Sequence, residues 1–129
     1  MKILLAYVPS ATAEAALEYA LAEAEAKDAS LLVLASEAAL DPAKGAAVAG
    51  GRPLEDRLEE SGLEIELRTV PRRDDPADDI LDTVENEDID LVVLGIRKRT
   101  PIGKMLLGST SQRVIMEAPC PVVCVKPQR

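Results

Sequence analysis

Five apolar runs of strand length recur along the chain: KILLAYV (2–8), SLLVLAS (30–36), LEIELRTV (63–70), DLVVLG (90–95) and PVVCVK (121–126). Four are nearly continuous in apolar residues, the pattern of strands covered on both faces, whereas 63–70 alternates and turns one side to water. Strands buried on both faces pair in parallel, and parallel strands need crossovers. The intervening segments supply them.

In 12–27, Ala16, Leu17, Ala20, Leu21 and Ala24 make one helical stripe, with Glu14, Glu18 and Glu25 on the wet face and Ser10 or Thr12 available as a cap. In 76–87, Asp75 reads as an N-cap, Pro76 as the first helical residue, and Ile80, Leu81 and Val84 as the inward face. In 109–117, Ser109 and Gln112 form a capping-box pattern, and Val114 and Ile115 are expected to face the sheet. The stretch 37–53, rich in Ala, Gly and Pro, reads as a loop running into a helix at 53–62. Strands alternating with helices imply one parallel sheet with helices on both faces and right-handed crossovers. Ligands in such sheets sit beyond the carboxyl ends of the strands, which singles out residues 7–12 and 95–110.

At 129 residues the chain is read as one domain, 1–129, large enough to need no disulfide staples. Aromatic residues make up only 2%, with no Phe or Trp, so the core is built from Leu, Val, Ile and Ala. That composition also lacks the stacking platforms of single-stranded nucleic-acid binders. A formal charge of −8 counts against nucleic acid and anionic membranes as partners and favours a soluble, cytoplasmic protein. The opening MKILLAYVPS is too short an apolar run for a signal sequence or a membrane span. Cys120 and Cys124 read as small buried hydrophobes in a reduced compartment.

One segment reverses the sign of the whole molecule. Residues 91–116 hold Arg97, Lys98, Arg99, Lys104 and Arg113 and no carboxylate, while the 23 acidic residues all lie elsewhere. Gly95 ends a strand and Gly108 precedes a capped helix whose amides and dipole suit a phosphate, with the Ser109 hydroxyl at hand. The same residues also fit an ordinary helix entry beside a solvated loop. No Walker A spacing is present. With no His and no thiol near a base, the sequence names no catalytic group, and the protein is expected not to be an enzyme. The acidic run 72–80 is expected to be helix-start carboxylates rather than a metal site.

The segment LGIRKRTPIGKMLLGSTSQRVIMEAPCPVVCVK resembles the carboxyl-terminal part of universal stress proteins, with their G-x2-G-x9-G-[ST] pattern, and the likeness extends over the whole chain. The resemblance implies a flavodoxin-like, adenine nucleotide α-hydrolase-like three-layer sandwich with a five-stranded parallel sheet of order 3-2-1-4-5. It also implies a regulatory module that binds ATP, with Mg2+ as companion ion, or another phosphate-bearing ligand. The site residues it implies are Gly95, Lys98, Gly108, Ser109, Thr110 and Ser10. Lys98 stands where the family has its second glycine, Val8 where it has an aspartate and Pro9 where it has the following glycine. Those departures favour anion binding over specific recognition of ATP. A homodimer is implied through the last strand, Pro121, Val122, Val123, Cys124 and Val125. The alternative is a dimeric interaction protein of the same family that has lost its nucleotide.

Overall fold

The computed structural model describes residues 1–7, 11–36, 58–70, 76–96 and 109–126. In chain order they form β1 (Lys2–Tyr7), α1 (Ala11–Lys27), β2 (Ser30–Ser36), β3 (Ile65–Val70), α2 (Ala77–Asn86), β4 (Leu91–Gly95), α3 (Ser109–Glu117) and β5 (Val122–Val125). The strands make one sheet in the order β3-β2-β1-β4-β5. Every pairing is parallel, with Leu5 opposite both Val33 and Val93 at the centre.

The continuous apolar runs find their reason here. Odd residues of the central strands, Ile3, Leu5, Leu31, Val33, Leu91 and Val93, pack with Ala16, Leu17, Ala20 and Ala24 of α1. Even residues, Leu4, Ala6, Leu32, Leu34, Val92 and Leu94, pack with Ala77, Ile80 and Val84 of α2 and Val114 of α3. Successive side chains of a strand alternate faces, so a strand covered on both sides must be apolar at every position. The α1 stripe is mostly alanine, which lets the helix backbone approach the sheet closely in a core without Phe or Trp. The alternating strand β3 lies at one edge, where Glu66 and Thr69 are exposed and Ile65 and Leu67 are half-buried. At the other edge, all four residues of β5 are half-buried.

The turns that lead from helices back into strands share one device. Asp28, Gly62 and Asp88 have φ of 50°, 71° and 53°. After α1, Ala29 N–H donates to Ala24 C=O at 2.9 Å and Asp28 N–H to Glu25 C=O at 3.4 Å, the paired bonds of a Schellman ending. Gly62 follows the last helical turn at 58–60, and the predicted helix at 53–62 and loop at 37–53 otherwise lie outside the described residues. Near the same end, Glu87 caps the carboxyl terminus of α2, where a negative charge opposes the helix dipole. Two cations offset it. Lys2 Nζ lies 3.1 Å from Glu87 Oε1, and Arg68 pairs with Glu87 Oε2 while also holding Glu66 Oε2 at 2.6 Å. The hydrogen bonds from Arg68, then from Lys2, hold the Glu87 carboxyl down at about 2, and those that Arg68 donates to Glu87 and Glu66 raise its guanidinium above its ordinary value.

Three local expectations meet the structure differently. Pro76, expected as the first helical residue, takes the N-cap position before Ala77 with helical dihedrals (φ −63°, ψ −14°), and its carbonyl accepts from Ile80 N–H at 3.2 Å, while Asp75 lies outside the described residues. Val114 faces the sheet at 0% exposure, but Ile115 does not: it is 39% exposed and Met116 84%. Each helical residue turns the next by over a quarter of a circle; with Arg113 directed at α2 and Val114 at the sheet, Ile115 rotates to the outer flank. Cys120 precedes β5 instead of sharing it, and both cysteines are free and half-buried rather than buried. Burial pushes both thiols up, which keeps them protonated and unreactive.

Candidate functional site

The sheet order reverses at β1. The chain moves outward from β1 to β2 and β3, then returns to β4 on the opposite side of β1, which opens a crevice at the carboxyl ends of β1 and β4. Ala6 pairs with Leu94, and one residue further on Tyr7 and Gly95 end the two strands. Beyond Gly95, Ile96 N–H donates to Val125 C=O at 2.9 Å, so the departing chain is tied to β5. Because β4 and β5 are parallel, the helix between them runs back against them. Its first residue, Ser109, therefore lies at the same end of the sheet as Gly95.

Of the residues singled out by sequence, Gly95 is half-buried at the end of β4, Ser109 opens α3, and Thr110 is half-buried in its first turn. Ser10, Lys98 and Gly108 lie outside the described residues, as do Val8, Pro9, Arg97, Arg99 and Lys104. The backbone amides of the first turn of α3 have no intrahelical acceptor, and the positive end of the dipole lies behind them. This end of the sheet can take a negatively charged oxygen.

Arg113, one turn into α3, is the basic-segment residue whose side chain is described. Its Nη1 lies 3.0 Å from Asp78 Oδ1 and its Nε 3.1 Å from Glu117 Oε2. Asp78 belongs to the first turn of α2, with Asp79 beside it. Sequence reading assigned Asp78 only to the dipole of its own helix. Nothing in the sequence links it to Arg113, 35 residues later; the parallel placement of α2 and α3 on one face of the sheet creates the pair. Among the described residues no group of three or more His, Cys, Asp or Glu could hold a metal ion; residues 72–75 of the acidic run lie outside the described residues. None of the described helices is long and apolar enough to cross a membrane.

An apolar groove lined by Leu58, Leu63, Ile65 and Leu67 lies beside β3. It lies at the β3 edge of the sheet, away from the β1/β4 crevice. Among the described residues Glu59 is its one charged lining group.

Comparison with known proteins agrees with this architecture. The model of the universal stress protein family matches residues 1–126. A universal stress protein of Mycolicibacterium smegmatis is 38% identical over 128 residues, covering 97% of each chain. One from Thermus aquaticus, named for its place in a QAH/OAS sulfhydrylase 3′ region, is 38% identical over 133 residues, covering 96% of this chain and 97% of its own. Among solved structures, a universal stress protein from Archaeoglobus fulgidus superimposes with a TM-score of 0.73 at 32% identity over 98% of both chains. A second, from the same organism in complex with dAMP, gives 0.65 at 26% identity, also over 98% of both.

Proposed function

The chain belongs to the universal stress protein family, and from that premise we propose that it is a regulatory module binding a nucleotide or another phosphate-bearing ligand at the carboxyl ends of β1 and β4. The observation that carries this reading is the placement of the amino terminus of α3, at Ser109, on the same end of the sheet as Gly95, beside the point where strand order reverses. The dAMP-bound Archaeoglobus relative supports a nucleotide as the ligand class.

In this reading the amides of the first turn of α3, with the hydroxyls of Ser109 and Thr110, receive phosphate oxygens, and the glycines at 95 and 108 let the ligand approach the backbone. Lys98 contributes a charge to the phosphates, and Ser10 a further hydroxyl. Val8 gives the base and sugar an apolar wall in place of a carboxylate, so the site recognises phosphate more strongly than it discriminates nucleosides. ATP is a ligand of this class. Mg2+ enters only as the companion of a polyphosphate, since the described residues offer it no ligand cluster of their own. The module works without catalysis, as one domain of a cytoplasmic protein. It pairs with a second copy through β5, whose residues are half-buried along an edge that none of the described strands covers.

Calorimetric titration with ATP, AMP and inorganic phosphate at several salt concentrations tests the reading. Binding that weakens as salt rises, and that is lost in Gly108→Val, is the expected result. No heat with any of the three would overturn it. The second reading, a dimeric interaction protein without a ligand, draws on Arg113, whose charge is already shared by Asp78 and Glu117. It predicts dimers in sedimentation and no heat in titration.

A further inference from the structure

Resting on the phosphate-binding reading above, we propose that the Asp78–Arg113 pair sets how strongly that site responds to ligand charge, with Asp78 as the residue that restrains anion affinity. Three observations place the pair. Asp78 sits in the first turn of α2, so its carboxylate is at the carboxyl end of the sheet, the end at which α3 begins. Arg113 follows Ser109 by a single helical turn, with its Nη1 3.0 Å from Asp78 Oδ1. Its Nε is held at 3.1 Å by Glu117 Oε2, so one guanidinium faces two carboxylates.

Both partners remain in contact with water, with side-chain exposures of 37% for Arg113 and 59% for Asp78. An exposed pair of this kind contributes little to folding stability. Its charges nevertheless act on any anion seated within a Debye length. Asp78 repels a phosphate at the mouth of α3 and simultaneously directs the guanidinium away from it. Removing the carboxylate therefore acts twice in the same direction. Removing the guanidinium leaves Asp78 without its counter-charge and acts in the opposite direction. At separations of about one to two helical turns in a water-like dielectric, each unit charge shifts affinity about two- to fivefold, more for ligands of higher charge. A purely structural pair would behave otherwise, since breaking it from either side would loosen the two helix starts and weaken binding in both variants.

The test is titration of wild type, Asp78→Asn, Arg113→Gln, Arg113→Lys and the Asp78→Asn/Arg113→Gln double variant with AMP, ADP and ATP at low salt, with melting temperatures measured alongside. The expected result is binding about two- to fivefold tighter in Asp78→Asn and weaker by a similar factor in Arg113→Gln. Both changes should grow from AMP to ATP, with the double variant near wild type and Arg113→Lys close to it. Weaker or unchanged binding in Asp78→Asn, or changes equal for all three nucleotides, would overturn the proposal while leaving the phosphate site standing. Failure of the wild type to bind any of the three would instead remove the site, and the proposal with it.

Discussion

The two ends of the sheet are built by different rules. At the amino-terminal end, helices return to strands through the short connections 28–29, 61–64, 87–90 and 118–121. Left-handed residues at 28, 62 and 88 close three of them, and the Lys2–Glu87–Arg68–Glu66 ion network braces the end of α2 against β1 and β3. At the carboxyl-terminal end, strands leave for helices, and the stretch 96–108 there carries Arg97, Lys98, Arg99 and Lys104. A tight turn satisfies its own backbone and leaves nothing over for a ligand. A helix start leaves amides open, and only the carboxyl-terminal end collects helix starts beside a reversal of strand order. Substitutions at the first end should therefore change stability and spare binding; at the second end the reverse holds.

The largest separation of the two is expected from Gly108→Val, with binding of ATP or phosphate reduced at least tenfold and a melting temperature close to wild type. A fall in melting temperature without a change in binding would erase the distinction. Next comes Gly62→Val. Its added side chain meets open space, with nothing within 4 Å of an added Cβ, but its φ of +71° strains any β-branched residue. The expected cost is about 1–2 kcal/mol in denaturant unfolding with unaltered ligand affinity.

Glu87→Gln should lower the melting temperature at neutral pH, and the sign of its pH dependence follows from the depressed carboxyl. The stabilisation by Glu87 is complete above its ordinary value of 4.5 and disappears as pH falls through about 2. The melting temperatures of wild type and variant should therefore converge between those two values; a gap that persisted at pH 2 would remove the ion network from the account. The smallest effect is a gain. Asp28→Gly relieves a non-glycine φ of 50° and should stabilise the fold by up to about 1 kcal/mol, again without touching binding.

How much of this was legible in the sequence follows the same division. Parallel pairing was readable because Leu4, Leu32 and Val92 interrupt what would otherwise be alternating patterns, as a sheet covered on both faces requires; the strand order came from the family resemblance. The solvent-facing side of β3 was readable from the alternation around Glu66 and Thr69. Gly95 and Ser109 were placed at one end of the sheet by topology alone. The Asp78–Arg113 pair was not legible, since it depends on the rotation of two helices that meet only in the folded state. The outward turn of Ile115 escaped for the same reason: an apolar residue beside Val114 reads as core until the direction of Arg113 fixes the helix face.

The division of labour between the two ends is tested most directly by hydrogen–deuterium exchange of the protein with and without ATP. The account predicts slowed exchange in the first turn of α3, at 109–111, and at the ends of β1 and β4, with no change at 28–29, 61–64 or 87–90. Protection confined to those amino-terminal turns, or none anywhere at saturating ATP, would contradict it.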